Sequence, residues 1–340
     1  MSGSKDRKGL NPSVSIPEEE QSTFGQQSPY AAGTLHQQQQ GLSQYPPSKM
    51  HNIIQKTGDG SCGAGFTRAV LSHSVPLRIN DFYIAGSGMP TTVVLEQRDH
   101  AGEDPDMAEF TVFVTGRDRD DIRKVKPLYV VDPYTNQLKL SIFKSADSGS
   151  IDCMSTVIRF SLSPRMHILE KLRVVVDEGN VTLAMLLPGH PLLVKSLNTR
   201  VVTGNTRIDA NATAVALGGS MGMIEGHVVV GDTMSVLMVD GVVSLNVSQS
   251  TKVMTGKVDV TNGNIDVGLT TPYVGSFRVE AESGLANIHH VDMSTTKVKF
   301  ESENLLKGWR SESGDMPRGK YSTLKLATHI GIAELDMARQ

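Results

Sequence analysis

From about residue 75 onward, apolar and polar positions alternate in short runs. "LRINDFYIAG" (77–86), "TTVVLEQRD" (91–99) and "EFTVFVTGRD" (109–118) carry the pattern. A period of two predicts half-buried strands rather than helices. Polar stretches fall between these runs, "HAGEDPDMAE" (100–109) and "GRDRDDIRKVK" (116–126), and predict loops. In the second, Arg123, Lys124 and Lys126 mix with Asp118, Asp120 and Asp121, as expected of a solvated loop. Helical spacing is hard to find, and "ENLLKGW" (303–309) reads as one turn at most. The predicted class is all-β.

A longer period lies over the alternation. A glycine followed two and four residues later by an apolar or small residue recurs at Gly149, Gly179, Gly204, Gly226, Gly241, Gly263, Gly284 and Gly331. Upstream, positions five and three before the glycine are often apolar, as in Val236 and Met238 or Val258 and Val260. Successive glycines are 30, 25, 22, 15, 22, 21 and 47 residues apart. A period near 22 predicts the coils of a β-solenoid, a parallel β-helix-like stack over about 125–340, with a glycine at each corner. The last interval is about twice the usual one, which predicts a missing corner between Gly284 and Gly331.

"KVDVTNGNIDVGL" (257–269) tests this reading. Alone, Asn262-Gly263 between alternating runs signals a β-hairpin. A two-residue hairpin would set Asp259 against Asp266, and like charges opposite one another are destabilising. A corner lets the two strands diverge, so the repeat is preferred.

"VDVTNGNIDVGLTTPYVGSFRVEAESGLANI" (258–288) resembles the repeating phrase of the "putative adhesin" family of unknown function, found in fungi and bacteria. The shared phrase is a strand, an Asn-Gly or Ser-Gly corner, a second strand and a Pro-aromatic-Gly connection, here Pro272, Tyr273 and Gly275. "TRVVTGNTRIDA" (199–210) and "LMVDGVVSLNV" (237–247) fit it as well. The resemblance implies a repetitive β-solenoid without established catalytic residues, and the adhesin label implies an exposed surface location.

Before this body lies a different composition. Residues 1–50 hold eight Gln, eight Ser, five Pro and five Gly, with scattered apolar residues. Such a segment buries too little surface to offset its ordering entropy, so a disordered tail is expected. Residues 51–74, with "TGDGSCGAGF", read as a Gly-rich linker, and the β-rich body runs over 75–340.

The charge balance narrows function. Against 33 Lys and Arg stand 36 Asp and Glu, a net charge of −3. A chain-wide attraction to nucleic acid is not expected. The two cysteines, Cys62 and Cys153, are too few for a disulfide framework, and a single bridge between them is neither required nor excluded. The first twenty residues lack the apolar stretch of a secretory signal, and no run approaches the roughly 18 apolar residues of a membrane span. The default expectation is a cytoplasmic protein, with the sequons at Asn180, Asn211 and Asn246 as chance matches.

Candidate chemistry is sparse. Asp240, Asp259 and Asp266 are the carboxylates that would have to converge for an acid/base pair or a calcium site, but they read as outward polar positions. "HHVD" (289–292) offers His290 and Asp292 on one strand face, short of the three ligands zinc requires. His167, His190, His227 and His329 are isolated, and "GGSMG" (218–222) reads as a loop. The single Trp309, in "KGWRSESGDMPRGK", reads as part of a flap over an open end of the repeat. No cofactor is expected. The reading is a non-enzymatic interaction or structural module, with an unidentified protein partner or self-association through its faces. The alternative is a carbohydrate-binding or carbohydrate-cleaving solenoid, with carboxylates and an accessible aromatic along one groove.

Overall fold

The computed structural model describes residues 55–57, 66–98, 107–132, 134–144, 154–187, 190–251, 253–270 and 273–337. All belong to the second of two units, Met1–Pro46 and Pro47–Gln340. The tail, Gly149 and both cysteines lie outside the described residues.

The strands are β1 (Gln55–Thr57), β2 (Phe66–Pro76), β3 (Asp81–Ser87), β4 (Thr91–Gln97), β5 (Met107–Gly116), β6 (Val125–Asp132), β7 (Gln137–Lys144) and β8 (Ser155–Leu162). After these come β9 (Ile168–Ala184), β10 (Leu186–Leu187), β11 (His190–Pro191), β12 (Leu193–Gln249), β13 (Thr255–Leu269), β14 (Gly275–His289), β15 (Thr296–Ser302), β16 (Leu305–Arg310) and β17 (Ser322–Asp336). Among the described residues, all but β10 and β11 join one large mixed sheet.

Its centre is parallel and in register. Strand β9 pairs with β12, β12 with β13, β13 with β17, and β17 with β14. The alternation seen in the sequence becomes rows of inward side chains. Val236, Val258, Leu326 and Val279 stand side by side and fully buried, as do Val243, Ile265, Ala333 and Ala286 beyond the glycines. Burying a Val or Leu side chain contributes about 1.5–3 kcal/mol, so these rows dominate the stability. Asp259 and Asp266 do not face each other. Asp259 lies beside Leu237 and Ala327, and Asp266 beside Ser244 and Glu334.

At 57 residues β12 is too long for one straight strand, and its glycines show how it folds back. A Cβ on Gly222 would run into the carbonyl oxygen of Gly204, and one on Gly241 into that of Gly222. The column continues through Gly263, Gly331 and Gly284, each backbone resting on the next. Gly263 has φ +140° and Gly331 +141°, a region only glycine enters readily. Gly226 shares such a φ, at +131°, but stands outside the column, over Ile208. Gly222, part of the expected "GGSMG" loop, occupies the column instead. The close backbone approach, not the sequence spacing, decides which glycine stacks.

The 47-residue interval has a different cause from the expected missing corner. Strand β17 inserts between β13 and β14, so Gly331 stacks between Gly263 and Gly284. The intervening residues leave the ladder to build the antiparallel pair β15–β16, which adds to the outer edge of β14. The N-terminal end is also out of chain order. Strand β3 pairs with both β7 and β9, and β4 with both β8 and β9. Antiparallel strands then cover that end, β6 on β7 and β5 on β8. Covering exposed ladder edges in this way limits edge-to-edge association.

Three local expectations change. Strand β2 begins inside the expected linker 51–74 and pairs with β5 over ten positions, burying Leu71 and Val75. "ENLLKGW", expected to make one turn at most, extends into β16 because its partners in β14 and β15 supply a ladder, and Trp309 sits on that strand. Within the expected loop 116–126 lies a short helix, Arg119–Arg123, whose N-cap Asp118 accepts from the amides of Asp120 and Asp121 at 2.8 and 2.9 Å.

Candidate functional site

Strands β13, β17, β14, β16 and β15 are consecutive neighbours, and one register row crosses all five. Lys257 pairs with Lys325, Lys325 with Arg278, Arg278 with Lys307, and Lys307 with Lys299. Every residue in the row is a cation. Four of the five have buried neighbours: Val258 beside Lys257, Leu324 and Leu326 beside Lys325, Phe277 and Val279 beside Arg278, and Leu306 beside Lys307. Lys299, on the outermost strand, lies between the partly buried Val298 and the exposed Phe300. Alternation therefore turns the charged heads outward. At about 4.8 Å per strand, the row spans about 19 Å.

The rows on either side have their own chemistry. On one side stand Thr255, Thr323, Ser276, Trp309 and Lys297, three hydroxyls, an indole and a cation. On the other stand Asp259, Ala327, Glu280 and Leu305. Lys257 pairs with Asp259, Arg278 with Glu280 at 2.8 Å, and Lys325 approaches Glu280 at 4.0 Å. Among the described residues, the five cations thus share one face with the carboxylates of Asp259 and Glu280.

The cation row and the hydroxyl row line a pocket of about 510 Å³. Trp309, Tyr321, Met316 and Pro317 form its apolar wall. The indole Nε1 donates to the carbonyl of Gly314 at 3.2 Å, and the Ser311 hydroxyl donates to that of Asp315 at 2.6 Å. The first bond ties the 311–321 segment to β16, and the second closes a turn within the segment. Tyr273, 1% exposed, donates to the Ser276 carbonyl beside the hydroxyl row. Burial, with Tyr321 nearby, pushes its phenol far above the usual range, so it stays neutral.

Taken by themselves, the like charges of this row work against folding, and the carboxylates beside them offset part of that effect. Like charges directly opposite on neighbouring strands destabilise a sheet by about 0.2–1 kcal/mol per pair, and four such pairs occur in sequence. Ser235 stands in register on β12, so the cations are not a habit of the whole ladder. Like charges also meet at Asp266 and Glu334, but among the described residues only this row runs through four successive pairs, and a local rule broken over such a stretch points to function there.

No family model matches the sequence, and no curated protein matches it. Among solved structures it is similar to a "putative cell adhesion protein" from Clostridium sporogenes, at 12% identity and TM-score 0.36, covering 79% of this chain and 99% of that one. A "putative adhesin" from Bacteroides fragilis matches at 13% identity and TM-score 0.33, over 78% and 96% of the two chains. A "putative lipid binding protein" from Parabacteroides distasonis matches at 12% identity and TM-score 0.32, over 79% and 94%.

The residues singled out from the sequence fall in several places. Asp259 borders the cation row before the glycine column, Asp266 lies beyond the column, and Asp240 sits at it, accepting from the Asn262 amide at 2.6 Å. The structure does not bring the three together. Trp309 alone joins the pocket. Gly179, Gly204, Gly241, Gly263, Gly284 and Gly331 stand in the column. His289 lies 3.5 Å from Glu334, and His290 Nδ1 is 3.0 Å from Asp336. Among the described residues no three His, Cys, Asp or Glu side chains gather as metal ligands, and no helix is long and apolar enough to cross a membrane.

The sequence does carry a signal for part of the row. Lys257, Arg278 and Lys325 each lie six residues before a column glycine, Gly263, Gly284 and Gly331. Lys307 and Lys299 have no such marker, because the antiparallel register of β15 and β16 brings them into line.

Proposed function

We propose that this chain is a non-enzymatic β-solenoid, an adhesin-like interaction module that binds an anionic partner through the outer face of β13, β17, β14, β16 and β15. The in-register parallel ladder and the glycine column support the solenoid: each coil spans roughly 18–25 residues and closes at a glycine that no other side chain could replace. The placement of Asp240, Asp259 and Asp266 on different parts of the coil favours binding over cleavage. The observation that carries the binding role is the unbroken row Lys257, Lys325, Arg278, Lys307 and Lys299.

Retention of the full chain on a sulfonate support tests this reading. Reversal of two central charges, Arg278→Glu with Lys325→Glu, should shift elution to clearly lower salt while the far-ultraviolet circular dichroism is unchanged. Elution unaltered by the reversal would refute it. A control pair elsewhere, Lys171→Glu with Lys195→Glu, should shift elution less.

A further inference from the structure

We infer that the anionic partner is an extended oligosaccharide bearing carboxylate or sulfate groups, gripped along the cation row with one sugar ring against Trp309. This rests on the cation row being the binding face. The first support is dimension. The row presents positive charge over about 19 Å in one direction, which suits a linear ligand with repeated anionic groups. A pocket of about 510 Å³ adds a local seat of the size that holds a small ligand or a few sugar rings.

The second support is the chemistry beside the cations. Thr255, Thr323 and Ser276 offer hydroxyls that both donate and accept, as a polyhydroxylated ligand requires. The half-buried Trp309 indole and Tyr321 line the same pocket and offer flat apolar surfaces to the C–H face of a sugar ring. Arg278 can hold a carboxylate or sulfate with two parallel hydrogen bonds, whereas the lysines act as point charges.

The third support is the acidic row. Asp259 and Glu280 lie one row from the cations, placed to accept hydrogen bonds from sugar hydroxyls. A nucleic acid backbone would bring phosphates against the same carboxylates. A ligand that alternates anionic groups with hydroxyls matches the alternation of the protein rows.

Trp309 is the single tryptophan in the sequence, so fluorescence excited selectively at tryptophan, beyond the tyrosine absorption band, reports this pocket. Titration should be run with oligogalacturonate, a heparin-derived oligosaccharide, neutral dextran and a single-stranded DNA oligonucleotide. Oligogalacturonate or the heparin fragment, or both, should shift the emission, and dextran should not. A response to oligogalacturonate alone assigns carboxylate, and to heparin alone, sulfate. Arg278→Gln with Lys325→Gln should weaken that binding at least tenfold without loss of folded signal. Trp309→Ala, followed by calorimetry, should weaken glycan binding several-fold, and unchanged binding would remove Trp309 as the seat of a sugar ring. DNA binding tighter than either charged glycan, dextran binding as well as they do, or no glycan binding by fluorescence and calorimetry would overturn the assignment. Charge-dependent retention on sulfonate without glycan binding would leave the binding face standing and remove the oligosaccharide.

Discussion

Gly331 rests directly against Gly263, although 68 residues separate them in the chain. The contact sets the C-terminal part of the fold, because it places β17 between β13 and β14. Both glycines have φ near +140°, and a Cβ on Gly263 would collide with the Gly241 carbonyl. Gly263→Ala should therefore cost more than about 3 kcal/mol, from backbone strain and the forced separation of adjacent strands. Gly319 also has positive φ, +81°, but nothing lies within 4 Å of an added Cβ. Gly319→Ala should cost only about 1–2 kcal/mol. Urea unfolding midpoints of the two variants compare them directly.

Strand β17 fills a gap that β14 leaves for it. Removing residues 322–340 should therefore unseat β14, β16 and β15 while sparing β9 and β12. Hydrogen exchange read by mass spectrometry should show lost protection across 275–310 and retained protection across 168–210. Retained protection across 275–310 would mean that β14 can pair directly with β13.

Glu280 holds back two members of the cation row, Arg278 and Lys325. Exposed pairs of this kind contribute about 0.2–1 kcal/mol, so Glu280→Gln should tighten binding of a simple polyanion without sugar hydroxyls, such as inorganic polyphosphate, by roughly 1.4- to 5-fold. Calorimetry would show it. Weaker binding would mean that Glu280 contacts the ligand itself, as the oligosaccharide model requires for sugar hydroxyls, so parallel titration with a glycan separates the two contributions.

His73 gives the fold a pH dependence away from the site. Its ring packs against Tyr129 and Phe110, with centroids 4.7 and 5.6 Å apart, and burial holds its pKa below the ordinary 6.5. The folded state thus favours neutral imidazole. Its contribution is complete above pH 6.5 and declines as pH falls through that value toward the lower folded pKa. His73→Phe should flatten the fall in urea midpoint between pH 7 and pH 5. An identical fall in both proteins would place the acid sensitivity elsewhere.

The sequence made much of the ladder legible. Glycine is required wherever the backbone takes φ near +140° against a neighbouring carbonyl, so Gly204, Gly241 and Gly263 stand out by position alone. Alternation likewise marks Val258, Val260, Ile265 and Val267 as inward. Stacking order is not legible in this way. Gly222 and Gly226 have nearly equal φ, and only the contact with Gly204 selects the first. Alternation also says which side of a strand is buried but not which strand lies next to it, so the insertion of β17 is hidden. The cation row is half visible for the same reason. Lys257, Arg278 and Lys325 share an offset from their glycines, whereas Lys307 and Lys299 enter through an antiparallel register that no repeat encodes. Trp309 was legible as a special residue, and its strand location depended on partners far along the chain.

If the proposed face binds anions, Lys257, Lys325, Lys307 and Lys299 should be covered together. Acetylation rates of individual lysines, read by mass spectrometry in the full chain with and without dextran sulfate, test it most directly. The four should slow together on adding the polymer, while Lys195, exposed and 2.7 Å from Glu170 on the far part of the ladder, keeps its rate. Equal slowing at Lys195, or unchanged rates at the four, would contradict the account.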